Sequence, residues 1–201
     1  SHINLYENHQ EELIKAEDYE QLKLQNEFLA SENKKLRELL DESINSQEIF
    51  ARVLIDKDSP YLKSVVLNKG TKDKVKIGMA VIHGAYLVGQ IIEVNYTNSR
   101  ALLLSDLNSK IPSVLAPNDV QTVVSGTGKN YGIIEHTEYV SKKEINEKER
   151  VVYTSGLGGL FKPGIPIGKM NISSNGIVNF FSDFTQLSYV KIVSYKSSGE
   201  K

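Results

Sequence analysis

The chain has 201 residues, 40% of them hydrophobic and 24% charged, with a formal net charge of −1. That balance excludes an intrinsically disordered chain and offers no basic field for nucleic acid. With no cysteine, disulfides, a thiol nucleophile and cysteine-bound zinc are excluded as well. No apolar run reaches the roughly 20 residues needed to cross a bilayer, and no signal peptide is visible. The opening Ser1-His2 reads as a tag remnant, and a membrane anchor is expected ahead of it.

The first segment, from about Asn4 to Asp41, is rich in Glu, Lys, Leu, Gln and Asn and has neither Gly nor Pro, which predicts a long helix. Leu22, Leu29 and Leu36 recur every seven residues and occupy heptad position d. Position a then holds Tyr19, Asn26, Asn33 and Leu40. Leu at d with Asn at a favours a parallel two-stranded coiled coil, in which Asn fixes the register at some cost in stability. Asp18 would face Lys23 of the partner helix, and Glu32 would face Arg37. A single amphipathic helix packed on its own domain is the other reading of this pattern.

Beyond Gln47 the composition changes to short strand-like runs bounded by turn residues. Phe50–Ile55, Ser64–Asn68, Ala80–Ile82, Leu87–Val94 and Arg100–Leu104 form a first group. Ser113–Leu115, Gln121–Gly126, Gly132–His136, Arg150–Thr154, Ile165–Ile172 and Leu187–Val193 form a second. The predicted fold class is mainly β: a long N-terminal helix followed by two small β-barrel-like domains. The expected division is 1–46 for the dimerising helix, 47–110 for the first β domain, 111–195 for the second and 196–201 for a disordered tail. A strand crossing between the domains is expected near Ile111, and a helical turn or polar loop around Lys142–Glu149. A faint echo links Val75–Gly89 with Phe161–Lys169, each placing Gly before an apolar run and another Gly inside it.

Candidate chemistry is sparse. Gly156-Leu157-Gly158-Gly159 is not Gly-x-Gly-x-x-Gly, and Lys162-Pro163-Gly164 interrupts any helix after it, so a phosphate cradle is not expected. Gly126-Thr127-Gly128-Lys129 lacks the first glycine and the final Ser or Thr of a P-loop. Ser155 with His83, His136, Asp106 or Asp183 invites comparison with a two-barrel serine hydrolase, but the residues flanking Ser155 match no nucleophile motif. The four histidines have no metal-ligand spacing. No catalytic residue, cofactor or metal is therefore assigned. Phe180, Phe181 and Phe184 cluster within Gly176–Phe184. They read either as a core plug or as a partner surface, since exposed aromatics suit protein interfaces.

Four stretches, in order along the chain, resemble the rod shape-determining protein MreC family. They are the Glu32-Asn33 to Leu36-Arg37 helix ending, Val75–Ile82 continuing through Leu87–Ile91, Leu103–Ser109, and Val152–Gly168. Ser105 and Leu107 depart from the family's Thr and Pro, and Lys162 is inserted between Phe161 and Pro163. The resemblance marks Gly78, Gly89, Asp106, Gly156, Gly159, Gly164 and Gly168 as structural motif positions. It implies a non-enzymatic scaffold on the extracytoplasmic (periplasmic) face of the cytoplasmic membrane, held by an N-terminal transmembrane helix absent from this sequence. Its implied partners are itself, as a parallel dimer and in filaments, the elongation transpeptidase (a penicillin-binding protein), and membrane and cytoskeletal proteins of the rod complex. Open sheet edges are expected to accept strands of other chains. The rival readings are a barrel-type serine hydrolase, active or degenerate, and an adaptor of an export system. The adaptor pairs antiparallel helical hairpins, whereas one helix is predicted here.

Overall fold

The computed structural model describes residues 2–39, 47–54, 63–117, 119–137, 149–159, 161–171 and 176–194. The Leu40 heptad position, the Lys142–Glu149 segment apart from Glu149 itself, and the 196–201 tail lie outside them. The chain divides into two compact units, one containing the helix and the other spanning Asn45–Lys196.

The helix α1 covers His2–Leu39, as the run of helix formers predicts.

The second unit holds twelve strands: β1 (Glu48–Leu54), β2 (Ser64–Leu67), β3 (Ala80–His83), β4 (Tyr86–Val94), β5 (Ser99–Leu103), β6 (Lys110–Leu115), β7 (Val120–Gly126), β8 (Tyr131–Thr137), β9 (Glu149–Thr154), β10 (Pro166–Asn171), β11 (Ile177–Phe180) and β12 (Tyr189–Val193). They close into two six-stranded barrels, ordered β1-β12-β3-β4-β5-β2 and β10-β11-β8-β7-β6-β9. Alternation decides which side chains point inward. In β1, Ile49 and Ala51 are buried while Glu48, Phe50 and Arg52 are exposed. In β6, Ile111, Ser113 and Leu115 are buried between less buried neighbours.

Two features correct the linear reading. The last strand, β12, does not join the second domain; it pairs with β1 and β3 and closes the first barrel. The strand that crosses between domains is thus at the C-terminal end, not near Ile111, because β6 pairs only with β7 and β9. Closure also removes the free edges that were expected to accept foreign strands. In both barrels every strand is hydrogen-bonded on two sides, and a closed barrel offers no unpaired ladder.

The two barrels share one topology, offset by one strand along the chain. Each consists of two three-stranded meanders, β12-β1-β2 with β3-β4-β5, and β6-β7-β8 with β9-β10-β11. In each, first pairs with first and third with third. Only the second glycine of each half of the sequence echo falls on a corresponding strand, since Gly78 precedes β3 whereas Gly164 precedes β10. Gly89 in β4 sits against the Leu102 carbonyl of β5, and Gly168 in β10 sits against the Asn179 carbonyl of β11. A side chain at either position would collide with the neighbouring strand, so both must be glycine.

One core, including Ile49, Leu67, Val81, Ile91 and Ile192, fills the first barrel. The other is not confined to the second barrel. Ala80, Leu87 and Leu104 of the first barrel pack with Ile111, Leu115, Val124, Phe161 and Ile167. The barrels therefore share an apolar seam, which couples them more firmly than a polar linker would.

Candidate interaction surfaces

Within its own unit, α1 turns the heptad stripe to solvent. Tyr19, Leu22 and Leu29 are 72%, 62% and 48% exposed, and Asn26 and Asn33 lie exposed between them. Leu36 continues the stripe on the helix, though its side chain is outside the described residues. A helix with Leu repeated at this spacing has no reason to leave it wet unless another surface covers it.

The aromatic trio lies at the seam. Phe184 packs against both cores and Phe180 against the second; their rings meet edge-on with centroids 5.6 Å apart. Phe181 stands 4.9 Å from Tyr86 of the β3–β4 hairpin, and its N–H bonds the Ile167 carbonyl at 3.1 Å. Between them Ser182 donates its hydroxyl to the Leu87 carbonyl at 3.2 Å. All three rings are half-buried. The structure brings them together as an inter-barrel clasp. Next to Phe184, the exposed Asp183 carboxylate accepts the Thr185 hydroxyl and N–H at 2.7 and 2.9 Å. These bonds favour the ionised form and hold its pKa below the ordinary carboxylate value.

A surface that the sequence reading missed lies on the outside of β1 and β12. Phe50 and Tyr189 are 71% and 66% exposed. Phe50 stands opposite Lys191, and Tyr189 opposite Arg52. Alternation within the two runs would have shown that these aromatics point outward, but not that the runs are neighbours, since 139 residues separate them (189 − 50).

Two of the hydrolase candidates make local hydrogen bonds among the described residues. Ser155 Oγ accepts the Leu157 N–H at 3.2 Å, and Asp106 is committed to its own surroundings. Its carboxylate, only 2% exposed, accepts the Lys63 N–H at 2.7 Å and the Asn108 N–H and side-chain amide at 2.8 and 3.0 Å. No group of three metal-ligating side chains occurs among the described residues.

Asp106 instead organises the segment joining the barrels. It ties residues 104–109 to the approach to β2, while Gly126 and Gly128 of the second barrel donate to the Ser109 and Ser105 carbonyls. Farther on, Gly156 has φ 76°, and a Cβ added there would lie 3.1 Å from Pro163, so it combines a left-handed backbone with a crowded Cβ position. The loop it opens runs through Gly159 and Gly164 to the glycine of β10. A Thr154 clamp fixes this loop, its hydroxyl donating to the Lys162 carbonyl at 2.6 Å and accepting the Ile165 N–H at 2.9 Å.

These loops and barrels coincide with a known barrel core: the family described as rod shape-determining protein MreC, barrel core, matches residues 53–194. The chain belongs to the MreC family. The cell shape-determining protein MreC of Haemophilus influenzae is 35% identical over 161 residues, covering 77% of this chain and 44% of that protein. The chain thus spans less than half the length of that relative. Among solved structures, MreC from Listeria monocytogenes superposes with a TM-score of 0.76 at 23% identity, covering 92% of this chain and 94% of that one. A complex between Penicillin-Binding Protein (PBP2) and MreC from Helicobacter pylori matches with a TM-score of 0.56 at 14% identity, covering 75% of this chain and 100% of that one. Of the motif positions, Gly89 and Gly168 make close strand contacts, Gly78, Gly156, Gly159 and Gly164 have positive φ, and Asp106 accepts the Asn108 N–H in its turn.

Proposed function

We propose that this chain is the scaffold region of a non-enzymatic cell-elongation protein on the outer face of the cytoplasmic membrane. An N-terminal transmembrane helix would anchor it. Helix α1 pairs in parallel with α1 of a second copy through Tyr19, Leu22, Asn26, Leu29, Asn33, Leu36 and Leu40. The barrels bind the elongation transpeptidase, a penicillin-binding protein, and membrane and cytoskeletal proteins of the rod complex complete the assembly. The observation that carries this reading is the barrel-core match over residues 53–194, joined to the fold shared with an MreC seen in complex with PBP2.

The physical role follows from valency. Pairing through α1 places two barrel pairs on one body, which raises the effective concentration of each for a partner held in the same membrane. Because the barrels are closed, side-chain surfaces and loops do the binding, and strand addition is ruled out among the described strands.

The test is interferometry of the full chain against the extracytoplasmic part of its own organism's elongation penicillin-binding protein. Saturable binding at concentrations up to about 10 μM is the expected outcome. No binding at several times that level removes the partner assignment. Covalent labelling by a reactive serine reagent that disappears in Ser155→Ala would overturn the non-enzymatic reading.

A further inference from the structure

The interior of the second barrel holds two polar groups that its strands leave without partners. Arg150, the second residue of β9, is 5% exposed, and Thr122, the third residue of β7, is 6% exposed. Side chains alternate across a strand, so Arg150 shares the inward face of Val152 and Thr122 that of Val124. Both valines belong to the second core. Strands β7 and β9 each run antiparallel to β6 and therefore point the same way. Arg150 and Thr122 thus lie towards the same end of the barrel, where these two strands begin. Arg150 Nε and Thr122 Oγ1 are both buried with no hydrogen-bond partner.

Other inward hydroxyls of this barrel are used. Ser113 donates to the Ile111 carbonyl at 2.8 Å, and Thr154 is engaged in its loop clamp. Carboxylates on the neighbouring strands are committed at more exposed positions: Glu149 meets Lys169 at 3.4 Å, and Glu135 meets Lys110 at 2.9 Å. Among the described residues no carboxylate pairs with Arg150. Arginine is almost never buried to this degree unless paired, because an interior charge without a counter-charge is strongly destabilising. A guanidinium only donates hydrogen bonds, and a hydroxyl can donate one. The group that satisfies both is an acceptor carrying negative charge. We propose that Arg150, assisted by Thr122, forms a site for an oxyanion, a carboxylate or phosphate group, at this end of the second barrel. The Arg150 fork supplies charge and paired donors, which suit the oxygens of such a group. The Thr122 hydroxyl adds one more donor. The site depends neither on α1 pairing nor on transpeptidase binding.

Thermal unfolding of the full chain in sodium acetate, sodium phosphate or sodium chloride at equal ionic strength tests it, beside nuclear magnetic resonance of the arginine Nε–H groups. The wild-type Tm should rise saturably in acetate or phosphate above its value in chloride, by about 5 °C at a hundredfold excess over Kd. The Arg150 Nε–H signal should shift along the same curve. Acetate acting alone assigns the site to carboxylates, and phosphate acting alone assigns it to phosphates. Arg150→Met should abolish the rise and, in chloride, melt no lower than the wild type, since it removes a buried charge that had no partner. Thr122→Val should keep the fold and weaken anion binding about tenfold. No wild-type rise, or an Nε–H signal indifferent to both anions, would overturn the proposal. A rise that Arg150→Met shares would overturn it as an adventitious ion only. A folded Arg150→Met chain that melts well below the wild type in chloride would overturn it too, by giving Arg150 a counter-charge within the chain itself. Should Arg150→Met not fold, the wild-type Nε–H titration decides alone.

Discussion

Asp73 closes the single turn of 3-10 helix that carries it. Its carboxylate accepts the Gly70 N–H at 3.1 Å and the Lys69 ammonium at 3.2 Å. The Gly70 bond first, and Lys69 after it, hold its pKa below the ordinary value. A depressed carboxylate stabilises the fold at pH above its unfolded value, and that contribution is lost as pH falls through the folded pKa. Asp73→Asn should therefore lower the melting temperature at neutral pH, with the gap from wild type closing in acid below the unfolded carboxylate range. A gap that is constant with pH would remove ionisation as the cause. At Gly126 the cost is steric. A Cβ there would strike the Asp106 and Leu104 carbonyls, and backbone in a seam between barrels cannot step aside. Gly126→Ala should cost about 1–3 kcal/mol in urea unfolding, whereas Gly158, with open space around it, should cost only its left-handed strain, about 1–2 kcal/mol. The glycines of the motif were legible as turns or close approaches. Which atoms they approach was not, because those atoms belong to strands distant in sequence.

At the scale of elements, α1 and eleven of the twelve strands stand where residue patterns put them, within a few residues. The missed strand, β11, is Ile177-Val178-Asn179-Phe180, a stretch whose aromatic cluster masked its alternation: Val178 is fully buried and Asn179 exposed. The helix was legible from its composition, and its exposed stripe is the half of the coiled-coil argument that a single chain can display. Leu29→Asp or Asn33→Lys should weaken dimerisation at least about tenfold, ~1.4 kcal/mol, and leave the β-sheet circular dichroism intact. Analytical ultracentrifugation beside the spectra checks this. Loss of both signals would mean that the helix stabilises the barrels by packing, not a second helix.

At the scale of the molecule, the first barrel is sealed by its most distant parts: Glu48 pairs with Val193 and Arg52 with Tyr189. A chain ending at residue 188 lacks β12 and leaves β1 and β3 each with an open side. Amide exchange by mass spectrometry should show protection lost in β1 and β3, while β7 and β8 of the second barrel keep theirs. Retained protection in β1 and β3 would show that the first barrel closes without its last strand. By itself the sequence determined the helix, its heptad stripe, the β character of the remainder and the family motif, because periodicity, propensity and turn chemistry act over a few residues. Only the tertiary structure decided which strands share a barrel, that Phe180 and Phe184 clasp the seam, and that Phe50 and Tyr189 share an outer face. Those outcomes depend on closing two sheets so that no ladder stays unpaired, a condition on the whole chain that no local window contains.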